Sequence, residues 1–164
     1  MRKLLFLIIS FFMFSNGVYA LEKIDVQFVK CVDGDTAYFS LDGEKVKFRF
    51  LAIDTPETVH PTKGEESGGK TASEYTCNKL KNAKLIQVEY DPKSEKIDKY
   101  KRHLVWVYVD GKMLQEDLIS KGYATVAYIY GNYEYVPLLC NKQDVAIKKG
   151  LGIWSDGKRE VGYC

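Results

Sequence analysis

Thr36-Ala37-Tyr38-Phe39-Ser40-Leu41-Asp42-Gly43-Glu44-Lys45-Val46-Lys47-Phe48-Arg49-Phe50 holds two strands and the turn between them. Val46, Phe48 and Phe50 alternate with Lys45, Lys47 and Arg49, the period of a strand with one buried face. Asp42-Gly43 is a two-residue hairpin signal. Upstream, 26–32 reads as another strand and Asp33-Gly34 as another tight turn, so 26–53 is expected to form a three-stranded meander. Downstream, the third strand is expected to cover 46–53 and to run into Asp54-Thr55-Pro56-Glu57. Pro56 has no N–H for a ladder and biases Thr55 towards an extended conformation. Such a strand end presents Asp54 and Glu57 at the rim of a sheet, although Asp-Thr-Pro is also ordinary turn chemistry.

A two-residue loop at Asp42-Gly43 pairs Leu41 with Glu44 and Thr36 with Arg49. That register puts Asp35 and Arg49 on opposite faces, unless a bulge or a looser turn brings them together.

The rest of the chain continues the pattern. A polar loop covers 58–69, and a helix is expected over 73–84 with Tyr75 and Leu80 turned to the core. Strands follow over 85–90 and 104–109, separated by a charged loop at 91–102. Asp110-Gly111 marks a turn, and a helix over 114–121 ends at Gly122. Residues 124–130 read as extended, and a last helix covers 135–149. Five strands with a helix after the third describe an α+β fold, a five-stranded OB-type β-barrel with about three helices.

Residues 1–20 read as a signal peptide and 21–164 as one domain. Arg2 and Lys3 are followed by an apolar run over 4–14, too short for a span of ~20 residues, and Val18-Tyr19-Ala20 offers a cut after Ala20. The protein is therefore expected to be secreted or periplasmic, a monomer, and off the membrane once the signal is removed. Removing Arg2 and Lys3 turns 24 basic residues against 22 acidic ones into a formally neutral chain. A neutral protein has no global field to draw in a polyanion, so any anionic partner needs a local basic cluster. The four cysteines, Cys31, Cys77, Cys140 and Cys164, allow two disulfides in three connectivities. A buried core thiol is the other reading of Cys31.

Asp35, Asp54 and Glu57 suit a hard cation, which takes oxygen from carboxylates, carbonyls and water. With only two histidines, His60 and His103, and no His/Cys cluster, zinc chemistry is disfavoured. Arg49, and Arg102 after Lys99-Tyr100-Lys101, supply two guanidiniums shaped to grip phosphate oxygens, although 99–102 alone could be a solvated charged loop. Carboxylates for a cation and a base, with two arginines for a phosphorane, are what metal-assisted phosphodiester hydrolysis needs.

These residues resemble the thermonuclease family of staphylococcal nuclease-like secreted nucleases. The family's Asp-Gly-Asp-Thr stands here as Asp33-Gly34-Asp35-Thr36, and its Phe-Arg run into Asp-Thr-Pro-Glu as 48–57. His60-Pro61, Asp98-Lys99-Tyr100 with Arg102, 110–113, 126–130 and Ile153-Trp154-Ser155 also match. The resemblance implies an OB barrel with three helices that cleaves DNA and RNA at the 5′-oxygen side, leaving 3′-phosphates. It implies Ca2+ held by Asp35, Asp54 and the Thr55 carbonyl, with Glu57 as the base that activates water. It further implies Arg49 and Arg102 on the scissile phosphate, and Lys99, Tyr100, Tyr128 and Tyr130 on the nucleotide. DNA and RNA, single-stranded or locally unpaired, are the expected partners. The chain departs from the family where Lys101 and His103 replace the usual glycines beside Arg102, and at Gly131 after the Tyr128/Tyr130 segment. A barrel of this type can also bind single strands or oligosaccharides without chemistry, as an OB-fold binding module. The presence of all five catalytic-type residues favours the enzyme.

Overall fold

The computed structural model describes residues 22–58 and 66–164. The expected signal peptide and the His60-Pro61 match lie outside the described residues.

Strand β1 (Lys23–Asp33) turns at Gly34-Asp35 into β2 (Thr36–Leu41), which turns at Asp42-Gly43 into β3 (Glu44–Phe50). Leu41 faces Glu44 and Thr36 faces Arg49, the register a two-residue loop demands. Asp42 and Gly43 have φ values of 52° and 83°, as a type I′ hairpin turn requires. The bulges lie in β1 instead, between Phe28 and Lys30 and between Cys31 and Asp33. Bending lets this one long strand pair with β2 at its end and with β5 (Ile86–Glu89) at its start. Strand β6 (His103–Val109) runs antiparallel to β5 and parallel to β3, closing a five-stranded barrel of OB type. The short β7 (Lys112–Met113) folds back on β6.

The third strand is shorter than its sequence implies. It stops at Phe50 because Ala52 adopts φ 62°, and the chain bends before β4 (Ile53–Asp54). Strand β4 then pairs with β8 (Thr125–Val126), outside the barrel ladder. Pro56 thus follows a bend that has already ended the strand. The 124–130 segment is likewise not one extended run, since Tyr128 has φ 57°.

Helix α1 (Gly69–Lys81) begins four residues before the expected Ser73, and its Leu80 is buried in the core as expected. Helices α2 (Leu114–Ser120) and α3 (Val136–Lys148) pack against each other beside the barrel. Phe39, Phe48 and Phe50 fill the barrel from β2 and β3, with Phe39 and Phe48 edge to face at 5.3 Å. Truncating one such ring to alanine costs ~3–5 kcal/mol. The fully buried Gln115 of α2 accepts from Val107 N and donates to Val105 O, stitching that helix to β6. Of the three possible connectivities, the molecule holds Cys31–Cys77, joining β1 to α1, and Cys140–Cys164, joining α3 to the chain end. Cys31 is therefore a cross-link and not a core thiol.

Candidate active site

The β1–β2 turn supplies the first wall. Gly34 N–H donates to Asp33 Oδ1 at 2.9 Å, and Gly34 O accepts from the Thr76 hydroxyl of α1 at 2.7 Å. A Cβ at position 34 would lie 2.7 Å from Thr55 Oγ1, so only glycine lets the turn approach Thr55. Asp35 is buried, and its Oδ2 is more heavily engaged than its Oδ1. It accepts from the Thr36 hydroxyl at 2.9 Å, from Thr55 N at 3.1 Å and from the Thr55 hydroxyl at 3.2 Å. Arg49 Nη1 stands 3.1 Å from the same carboxylate, and Nη2 lies 3.4 Å from Asp54 Oδ1.

Arg49 and Asp35 meet without a β2–β3 bulge because Asp35 sits in the turn, off the ladder's alternation. Its carbonyl accepts from Phe50 N at 2.8 Å, carrying the ladder one residue past Thr36. The long Arg49 side chain then lies between the carboxylates of Asp35 and Asp54, donating also to Phe50 O at 3.1 Å.

Negative charge is in surplus here. Burial, and then the charge of Asp35, pushes the Asp54 carboxyl up to about 6, with Arg49 only partly opposing. Burial also pushes Asp33 up to about 6, against the hydrogen bond from Gly34. Glu57 is exposed at the rim, its backbone held by Glu66 N donating to its carbonyl at 3.0 Å. A Cβ at Gly69 would come within 2.5 Å of that carbonyl, so α1 can start against Glu57 only with glycine there. Among the described residues no three Asp, Glu, His or Cys side chains converge to enclose a metal. The set fits a hard cation that takes part of its oxygen shell from water or a ligand, because a cation would stabilise the ionised forms that burial, and then the neighbouring carboxylates, disfavour at Asp33 and Asp54.

The second wall is the turn from Asp98 to Arg102. Arg102 Nε donates to Asp98 Oδ2 at 2.7 Å, while Arg102 N and Tyr100 N both donate to Asp98 Oδ1 at 2.9 Å. Burial alone would raise the Asp98 carboxyl, but these hydrogen bonds and the charge of Arg102 outweigh it and hold it below the usual carboxylate range. With Nε engaged, the two terminal nitrogens of Arg102 have no hydrogen-bond partner among the described residues, and the guanidinium carbon lies 5.3 Å from the Tyr100 ring. Lys101 takes φ 60°, the left-handed conformation for which glycine is the usual residue, so the tight turn survives the departure. His103 begins β6, packs on Phe48 and meets the Tyr90 hydroxyl through Nδ1.

Tyr128, Tyr130 and Tyr133 form the third wall. The Arg49 guanidinium carbon lies 5.4 Å from the Tyr128 ring. Gly131 O accepts from Tyr133 N at 3.0 Å, turning the chain towards α3. The buried Asp91 accepts from Trp106 Nε1 at 3.1 Å and Glu134 N at 2.8 Å, which fixes that turn to the barrel.

The three walls enclose a cleft of about 720 Å³. Asp35, Arg49, Asp54, Glu57, Lys99, Tyr100, Arg102, Tyr128 and Tyr130 all line it. Thr55 does not, and its amide and hydroxyl face Asp35. Asp33, Asp98, Lys47 and Tyr133 also line the cleft and went unassigned in the sequence. Asp98 was the most accessible of these, because an acid four residues before an arginine is a standard pairing distance within a turn or helix.

Residues 47–156 match the family model described as Staphylococcal nuclease homologue. The chain is 40% identical over 135 residues to the SPbeta prophage-derived endonuclease YokF of Bacillus subtilis (strain 168), covering 82% of this chain and 45% of that one. It is 38% identical over 135 residues to the endonuclease YncB of the same organism, covering 82% and 63%. It is 37% identical over 142 residues to the thermonuclease of Staphylococcus hyicus, covering 87% and 82%. The chain thus spans about half to two thirds of the two Bacillus proteins and most of the staphylococcal one.

Proposed function

The chain belongs to the Staphylococcal nuclease homologue family, and from that premise we propose that it is a calcium-dependent nuclease hydrolysing DNA and RNA at the 5′-oxygen side to leave 3′-phosphates. The observation that carries this reading is one cleft that brings Arg49 and Arg102 together with Asp35, Asp54 and the exposed Glu57. Asp35 and Asp54, with the Thr55 carbonyl, would hold the cation. Calcium bound there would neutralise the phosphate and favour charge building on its oxygens. Glu57, exposed at the rim, takes the proton from the attacking water. Arg49 and the two terminal nitrogens of Arg102 grip the equatorial phosphate oxygens, where the pentacovalent transition state gathers charge. Lys99, Tyr100, Tyr128 and Tyr130 hold the nucleotide, which favours single-stranded or locally unpaired substrates. The working form is a monomer, exported after a cut behind Ala20 and secreted or periplasmic.

Cleavage of single-stranded DNA, followed on a gel with calcium and then with excess chelator, tests the reading. Cleavage is expected with calcium only, with magnesium a poor substitute because of its strict octahedral geometry. Undiminished cleavage in chelator rules out the cation, and no cleavage in any condition rules out the nuclease.

A further inference from the structure

Tyr38, on the outer face of the barrel, is ringed by three lysines. Its ring centroid lies 5.1 Å from Lys30 Nζ, 4.7 Å from Lys45 Nζ and 5.9 Å from Lys47 Nζ. Register explains the grouping. Lys30 of β1 and Lys47 of β3 each stand directly across a ladder from Tyr38, and Lys45 is one pleat further along the same face. An aromatic face attracts an ammonium within ~6 Å, but three ammoniums around one ring repel each other. No described acid forms a salt bridge with any of them. The fold therefore gathers positive charge on β1–β3 that no described carboxylate pairs with directly.

The cluster is continuous with the cleft. On β3, Phe48 and Phe50 are buried in the barrel, while Lys45, Lys47 and Arg49 alternate with them on the outer side. Alternate residues of a strand are about 6.8 Å apart. That row runs from Arg49 at the proposed scissile phosphate, through Lys47, which also lines the cleft, to Lys45 on the open face. Beyond the signal segment the chain is formally neutral, so a polyanion must be held by a local patch of this kind.

We infer that the outer face of β1–β3 is the track along which a single-stranded polynucleotide leaves the cleft. Lys30 and Lys45 hold phosphates beyond the scissile one, and Tyr38 keeps their ammoniums together. This rests on the nuclease reading above. The alternative is that the lysines are merely a solvated strand face, in which case they contribute nothing to binding.

The test uses Lys30→Gln/Lys45→Gln, neither residue lining the cleft. Binding is measured by fluorescence anisotropy in excess chelator, over a salt series, for labelled single strands of about 20 and about 3 nucleotides. The variant should bind the long strand roughly tenfold more weakly at low salt, with a salt slope shallower by about 1.4, the value for two lost phosphate contacts on a single strand. Affinity for the short strand should be unchanged. Tyr38→Phe should behave as wild type, and Tyr38→Leu should lose part of the long-strand affinity. Unchanged long-strand affinity in the double variant overturns the track, as does an equal loss on both lengths. Loss of affinity for anionic phospholipid vesicles with none for the strand overturns it too. If wild-type protein cleaves the short strand while the variant binds the long one normally, only the track fails. If wild-type protein cleaves neither strand with calcium, the nuclease reading fails with it.

Discussion

Arg49 and Arg102 face one cleft from two kinds of structure. Arg49 is buried on a barrel strand between two carboxylates, and its orientation is imposed by the sheet register and the β1–β2 turn. Arg102 stands on a surface turn and is oriented from within that turn, by Asp98 four residues away and the Tyr100 ring. The same chemical group is thus preorganised globally in one wall and locally in the other. Where orientation comes from the global fold, stability and activity are coupled. Where it comes from a local turn, they separate.

Removing each guanidinium tests this most severely. Either Arg49→Ala or Arg102→Ala should lower turnover on saturating single-stranded DNA by ~10²–10³, the usual cost of one preorganised donor. Arg49→Ala should also destabilise the fold by ~3–5 kcal/mol, because it strands the buried Asp35 carboxylate without its counter-charge. Arg102→Ala should unfold close to wild type, since its ion pair with Asp98 is partly exposed. Arg102→Lys should be nearly as slow as Arg102→Ala, because an ammonium cannot supply the planar fork. Turnover and thermal unfolding of the three proteins decide the matter, and equal stability loss at both sites would break the comparison.

Asp98 sharpens it. It touches no reacting atom in the proposed mechanism and acts by holding the Arg102 guanidinium and the Tyr100 and Arg102 amides of the turn, so it is a positioning residue. Asp98→Asn keeps the size but weakens the charge-assisted bond to Nε, and should lower turnover ~10-fold with little change in KM. Combined with Arg102→Ala it should cost nothing further. Independent losses in that double variant would give Asp98 another role.

The barrel wall also carries a stability cost. The Asp54 carboxyl binds its proton more tightly folded, at about 6, than unfolded, at about 3.8. The resulting stability is present below ~3.8 and lost as pH rises through ~6, so the ionised group weighs against the metal-free fold at pH 8. Asp54 is one-third exposed and paired with Arg49, so solvent and that partner reduce the effect. Asp54→Asn in chelator should therefore be more stable than wild type by about 1 kcal/mol at pH 8, and equal to it below pH 4. Denaturant unfolding at the two pH values checks this, and a destabilised variant at pH 8 would remove the charge surplus from the account.

Much of the barrel wall was legible in the sequence. Alternation of Phe48 and Phe50 with Lys47 and Arg49, and the loop length at Asp42-Gly43, suffice for β2, β3 and the pairing of Thr36 with Arg49. The meeting of Asp35 with Arg49 was not, because strand parity does not apply to a residue in the turn. Nothing local in Leu51-Ala52-Ile53 announces the bend at Ala52, which follows from the pairing of Ile53 with Val126, over seventy positions away in the sequence. Helix α1 starts at Gly69, a residue that reads as a breaker but is needed there for its approach to Glu57. The disulfides were countable but not assignable, since spacing along the chain carries no distance in the fold. The burial that raises Asp33 likewise exists only once α1 and the β1–β2 turn are packed.

The smallest effect expected concerns Lys101, on the loop wall. Its φ of 60° costs a residue with a Cβ ~1–2 kcal/mol, and glycine avoids that cost. Glycine also gives the unfolded chain more freedom, which offsets ~0.5–1 kcal/mol of the gain. Lys101→Gly should therefore stabilise the protein by only about 0.5 kcal/mol, and Lys101→Ala, which keeps the Cβ, should not. Lys101 does not line the cleft, so its side chain acts on substrate only at long range. Both variants should turn over saturating substrate normally, and both should bind single strands slightly less tightly at low salt, with the difference vanishing at high salt. The contrast with Arg102 is then complete within two adjacent positions, one setting the path of the turn and the other the chemistry. A large drop in turnover for Lys101→Gly would mean that the left-handed residue itself, and not only Asp98, holds Arg102 in place.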